Sequence, residues 1–158
     1  MKRGSIVFLR AVLVLIGVGA IALLLLEPQT EGRNAHATTF EIYFKDPFLA
    51  YVYLASIALF VALYHAFKAL GYVGQDTMLS PAGVKSLRTI KRCAMVVIGF
   101  VAAAELIIIL SREDDPQGGF FIGVLIAFVA TIVATTMSVL ERTLQHAVDI
   151  KSEHDLTV

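Results

Sequence analysis

The sequence predicts an all-α integral membrane protein. Its expected architecture is an antiparallel bundle of four transmembrane helices, with N-terminus and C-terminus cytoplasmic and an amphipathic cytoplasmic C-terminal extension. Three observations predict it. Four apolar runs, residues 5–26, 47–70, 93–110 and 119–140, each supply about the 20 residues needed to cross a ~30 Å hydrocarbon layer as a helix. The chain is 58% hydrophobic and 16% charged, where a soluble domain carries roughly 45–50% and about 25%. The basic residues fall on one side. The N-terminus, the 71–92 connection, the segment after Leu140 and the adjoining span ends hold Lys2, Arg3, Arg10, Lys68, Lys85, Arg88, Lys91, Arg92, Arg142 and Lys151, against Arg33, Lys45 and Arg112 elsewhere. Basic connections stay inside, which places both termini in the cytoplasm. Four spans with short connections make residues 1–158 a single membrane domain.

The first span follows Met1-Lys2-Arg3, and Ala35-His36-Ala37 mimics a signal-peptide cleavage site. The run is longer than the ~7–15 apolar residues of a signal, Arg10 interrupts it, and the small-x-small triplet lies far beyond it, so the span is expected to be retained. Residues 27–46 read as an outer loop, acidic through Glu27, Glu31, Glu41 and Asp46, in which 38–44 alternates weakly and suits a short strand or an amphipathic turn. The second span opens on Pro47, where a helix loses no backbone donor. Tyr43, Phe44, Phe48 and Tyr51 border it outside, and Tyr64, Phe67 and Tyr72 inside, as aromatic belts do.

Beyond a turn over 71–78, Ser80 reads as an N-cap, Pro81 as the first helical residue, and Leu79 with Val84 as a hydrophobic staple. Val84, Leu87 and Ile90 then share one side and Lys85, Arg88 and Arg92 another. This predicts a basic helix lying in the headgroups ahead of the third span. Lys85, Arg88, Lys91 and Arg92 would be its lipid contacts, at ~1 kcal/mol each against anionic lipid. So small a basic set against a membrane predicts no direct nucleic-acid binding. Cys93, the only cysteine, opens the third span and excludes an internal disulfide or a cysteine-based metal site. Glu113-Asp114-Asp115 marks an exposed outer hairpin. Small residues must supply helix packing in lipid. They recur as Gly17, Gly19 and Ala20, as Ala58, Ala62 and Ala66, as Gly99 and Ala103, and as the ladder Gly119, Gly123, Ala127, Thr131 and Thr135 on the fourth span. The ladder predicts close packing in the bundle, with a homodimer face as its sharper reading. Residues 141–158 continue as the tail, with Leu144, Ala147 and Val148 on one side and Glu141, Arg142, Gln145, His146 and Asp149 on the other.

Glu105 is the only acid inside a span. A charge near mid-span costs on the order of 2.5–3.5 kcal/mol, so a partner is expected. Tyr51, Tyr53 and Ser56 of the second span lie at matching depth, whereas the fourth offers no polar group there. An inter-helix hydrogen bond is the structural reading, and a proton- or cation-sensitive switch the functional one. No paired His, no metal-ligand spacing and no nucleophile with a base occur, so neither enzyme activity nor a metal or cofactor is predicted.

Three stretches carry a family likeness. They are Met1-Lys2-Arg3-Gly4-Ser5 with Phe8-Leu9; Leu79-Ser80 with Val84, Leu87, Ile90-Lys91 and Ala94; and Leu144-Gln145 with Ala147, Asp149-Ile150-Lys151, Glu153 and Asp155-Leu156-Thr157-Val158. In these the chain resembles domain-of-unknown-function family 2975, small four-span bacterial membrane proteins, over essentially its whole length. His154 stands where the family pattern carries Asn. The resemblance brings no catalytic residues. It implies a gene neighbourhood, since such proteins are often encoded beside a small helix-turn-helix regulator of the Xre or Cro type. Ile150, Lys151, Glu153, Asp155, Leu156, Thr157 and Val158 then form a candidate docking tail. The expectation is an uncharacterised multi-pass protein of the bacterial inner membrane, a regulatory or sensory partner of a cytosolic helix-turn-helix regulator. The alternative is a small transporter or a membrane-stress or immunity protein that uses Glu105.

Overall fold

The computed structural model describes residues 3–30, 38–44, 47–111 and 117–156. They form five helices: α1 (Arg3–Thr30), α2 (Thr39–Phe44), α3 (Pro47–Gly74), α4 (Pro81–Ser111) and α5 (Gln117–Leu156). Four of them, α1, α3, α4 and α5, are long and apolar enough to cross a membrane. The protein is an all-α membrane protein, and no strand occurs among the described residues. The four long helices pack in chain order: α4 lies on α5 most extensively, α3 on α4 next, and α1 on α3 least. Contact between α1 and α5 is marginal at most. The helices thus form an open row with two broad apolar faces. Leu15, Leu23, Phe128 and Val139 are among the many large apolar side chains those faces leave exposed. Lipid tails are as apolar as these side chains, so in a bilayer nothing drives the row to close on itself.

Where the sequence suited a short strand or an amphipathic turn at 38–44, the structure has a short helix, α2. The reason is a capping box in Thr38-Thr39-Phe40-Glu41. The Glu41 N–H donates to Thr38 Oγ1 (3.4 Å) while the Thr38 N–H donates to Glu41 Oε2 (3.2 Å), satisfying two end donors reciprocally. Upstream, α1 runs past the expected end at Leu26 and through Pro28 to Thr30. Pro28 has no N–H, so the Leu24 carbonyl four residues earlier loses its helical donor. The Tyr53 hydroxyl of α3 donates to that carbonyl at 3.2 Å, and the Tyr43 hydroxyl of α2 donates to the next one, Leu25, at 2.6 Å. Two tyrosines therefore tie the end of α1 to its neighbours where a proline would have frayed it.

At the other end, which we call the turn end, α3 stops in a Schellman motif. The Thr77 N–H bonds the Tyr72 carbonyl (2.9 Å), the Asp76 N–H bonds Val73 (3.4 Å), and Asp76 takes the left-handed conformation at φ 55°. Ser80 then caps α4 as the sequence predicts, its Oγ accepting from the Gly83 N–H at 3.3 Å, with Pro81 as first helical residue. Gly83 is needed here because a Cβ would run into the Met78 backbone carbonyl.

No break occurs at Cys93. The basic segment and the third span are one helix of 31 residues, which puts Cys93 in mid-helix and buried. The tightest packing in the described protein lies along the first half of this helix. Val84, Ser86, Leu87, Ile90, Cys93 and Ala94 are all buried, as are Ala69 of α3 and Glu141 of α5. The apolar side of the basic segment is therefore packed in protein rather than laid on lipid. The fourth span and the tail also join, as a 40-residue helix about 60 Å long. A ~30 Å hydrocarbon layer covers about half of that. Glu105 lies level with Gly123, and Arg88 and Lys91 lie level with Glu141, which fixes the antiparallel register. The turn over 75–80 brings the first turns of α4 back alongside the end of α3, where Ala69 is buried with them, and there they pair with the second half of α5 as a two-helix segment we call the stalk. In that register α5 continues past the start of α4 to Leu156.

Candidate functional site

Two polar constellations link α4 to α5, one within the apolar spans and one in the stalk. Within the spans, the Glu105 carboxylate lies directly over Gly123, where a Cβ would collide with Oε1 and meet the Val101 side chain at 3.5 Å. Gly123 is the notch that admits the acid. Oε2 is buried and has no hydrogen-bond partner among the described residues.

The residues expected to serve Glu105 are engaged elsewhere. The Tyr51 hydroxyl donates to the Phe100 carbonyl at 2.5 Å, with the two rings 5.0 Å apart. Tyr53 is committed to Leu24, and the Ser56 hydroxyl returns to the Tyr53 carbonyl at 2.7 Å. Depth along the sequence matched these groups to Glu105, but the acid sits on the flank of α4 that faces α5, and Tyr51 meets α4 on its α3 flank. A glycine, silent in any search for polar partners, was the residue to find; its place in the small-residue ladder was the available signal. The ladder divides between two roles. Gly123 receives Glu105, while Thr131 and Thr135 are exposed and bond their own helix at Ala127 (2.8 Å) and Thr131 (2.8 Å). Gly99 and Ala103, expected at a close helix contact, instead line an open apolar cleft with Tyr51, Val96 and Phe100.

In the stalk, Glu141 accepts from Arg88 Nε at 2.7 Å and from Lys91 Nζ, one carboxylate oxygen to each cation. The sequence placed Glu141 on the solvated side of the tail, but its side chain is 11% exposed. Lys91 and then Arg88 hold its carboxyl below the usual carboxylate range, against the opposing effect of burial. Arg88 and Lys91 thus spend their charge on α5, while Lys85 and Arg92 stay exposed. A pairing across 53 and 50 residues leaves no local pattern to read.

Of the tail residues singled out, Ile150, Lys151 and Glu153 are exposed on the last turns of α5. Asp155 and Leu156 end the helix. Thr157, Val158 and the run Glu113-Asp114-Asp115 lie outside the described residues. Gln145 Nε2 donates to Asp149 Oδ1 at 2.8 Å along the outer side.

Comparison with known proteins agrees with this architecture. The sequence model of a family described as "Protein of unknown function (DUF2975)" matches residues 32–158. The chain is 38% identical, over all of its own length and all of the relative's, to a protein of Bacillus subtilis (strain 168) named "Uncharacterized membrane protein YoaS". No solved structure matches it.

Proposed function

The chain belongs to the DUF2975 family, and on that premise we propose that it is a multi-pass protein of the bacterial inner membrane, with both termini cytoplasmic, that acts as the regulatory or sensory partner of a cytosolic helix-turn-helix transcription regulator. The observation that carries the reading is α5. It runs unbroken from the Glu105–Gly123 contact inside the spans, through the Arg88–Glu141–Lys91 clamp, to exposed turns beyond the start of α4. A rigid helix that enters the cytosol from the bilayer is a direct way to present a docking segment to a soluble protein. The gene neighbourhood implied by the resemblance names the class of partner. Deleting residues 155–158 and following a fluorescently tagged regulator is the test. Release of the regulator from the membrane supports docking, and unchanged recruitment rules it out.

A second reading, a small transporter or a membrane-stress or immunity protein, rests on Glu105. Its Oε2 is a buried acceptor with no partner in the described protein, and such groups are rare without a reason. Under that reading Glu105→Gln abolishes the phenotype while expression is unchanged. A Glu105→Gln protein that behaves as wild type removes it. The span-four ladder, with Thr131 and Thr135 exposed, is the face on which we would place a homodimer.

A further inference from the structure

We propose that the turn end of α1 and α3 binds the headgroup phosphate of an anionic phospholipid, with Arg10 and Lys68 as its cations. Between Arg3 and Leu26 α1 carries no acidic residue, and α3 carries none from Pro47 to Gly74, whereas these stretches hold Arg3, Arg10 and Lys68. The described residues give neither Arg10 nor Lys68 an ion pair or a hydrogen bond. Arg10 reaches across to α3, its guanidinium carbon 4.8 Å from the centre of the Phe67 ring and its Nη2 against Gly71. The Arg10 Nε is buried and unsatisfied. Guanidinium nitrogens are donors only, so what is missing here is an acceptor.

Lys68 follows Phe67 in the chain, and its Nζ lies 5.9 Å from the centre of the Tyr72 ring one turn on. Its four-carbon stem lets the charge reach the headgroup level. Arg10 leans toward the N-terminus of α1, which is the turn end because α1 runs antiparallel to α3. Two unpaired cations on adjacent helices thus stand at the membrane boundary, Arg10 over Phe67 with Gly71 leaving room for its guanidinium, and Lys68 beside Tyr72. His65 lies about 200° round α3 from Phe67 and so away from Arg10, but it is one turn from Lys68 and feels the charges of Lys68 and of Lys85 on α4. In a bilayer the acceptor present at that level is lipid phosphate, and a guanidinium binds it through paired N–H donors.

The test uses the full chain purified in detergent, lipid-stripped, and titrated with phosphatidylglycerol while thermal stability and retained lipid are measured. Saturable stabilisation is expected. R10Q should weaken it about tenfold and K68Q about fivefold. G71A keeps every charge, but its Cβ would stand 2.9 Å from Arg10 Nη2, so it should also weaken binding. R142Q, on the exposed side of α5, should bind as wild type. Melting without lipid reports whether each variant folds, and if R10Q does not fold, G71A and R10K carry the decision. The proposal is overturned if G71A, R10K and K68Q bind as wild type, if phosphatidylcholine stabilises equally, or if inorganic phosphate alone reproduces the effect.

Discussion

At the scale of single residues, Pro28 removes the donor that the Leu24 carbonyl would have used, and the Tyr53 hydroxyl supplies one at 3.2 Å. Tyr53→Phe keeps the ring and deletes only that bond. In an apolar surrounding the loss should cost about 1 kcal/mol, read as a lower melting temperature of the detergent-purified protein with no change in helical content. Asp76 gives the opposite sign. It holds φ 55° at the position of the Schellman motif where glycine is the usual residue, and a left-handed non-glycine residue costs roughly 1 kcal/mol. Asp76→Gly relieves that cost and should raise the melting temperature. A fall would mean that the Asp76 side chain supports the turn in some other way. The continuation of α1 through Pro28 leaves no mark in the apolar pattern, since the run ends at Leu26 and the proline lies two residues beyond it.

At the scale of elements, the caps were legible and the continuities were not. Ser80-Pro81 announces a helix start because cap chemistry is local, and Ser80 Oγ meets the Gly83 N–H as expected. The Thr38–Glu41 capping box was equally local and was obscured by the weak alternation around it. The join of the basic segment to the third span left no mark at Cys93, because helical periodicity persists while the surroundings change from protein and water to lipid. The clamp is what makes the join matter. Arg88 and Lys91 fix the first turns of α4 to Glu141 of α5, so the stalk is a paired element rather than two free ends. Glu141→Gln leaves two cations facing a neutral amide. Arg88 is 45% exposed and can rehydrate, so the loss should be about 1–3 kcal/mol rather than that of a fully buried pair. It should appear as faster amide exchange at both stalk segments. Because the Glu141 carboxyl is held below its ordinary range, chiefly by Lys91, the clamp contributes fully above the unfolded-state value of about 4.3 and is lost as pH falls through the lowered folded value. The stability gap between wild type and Glu141→Gln should therefore be constant from pH 7 to about pH 5 and close in stronger acid. A gap that closes near neutrality would contradict the assignment.

At the scale of the whole molecule, the open row and the charge asymmetry have to be satisfied by one membrane placement. Four spans were plain from composition alone, whereas the order of packing was not, because nothing in an apolar run says which neighbour it will meet. The stalk settles which surface matters. Helices that end flush with a bilayer offer a partner only loops, but α5 runs on past the start of α4 at the end that holds ten of the thirteen Lys and Arg residues. Placing that end in the cytoplasm obeys the positive-inside bias and presents the last turns of α5 to soluble proteins. Placing it outside would require moving most of the basic residues across the membrane. A thiol-accessibility experiment decides between the two. In a Cys93→Ser background, single cysteines at Phe40, Gln75 and Ser152, all exposed positions, are probed with a membrane-impermeant maleimide on right-side-out spheroplasts. F40C, on α2 at the opposite end from the turn, should react at once. Q75C in the turn and S152C on the stalk should react only after permeabilisation. Labelling of Q75C or S152C in sealed spheroplasts would put the stalk on the outer side and end its role as a docking helix for a cytosolic partner.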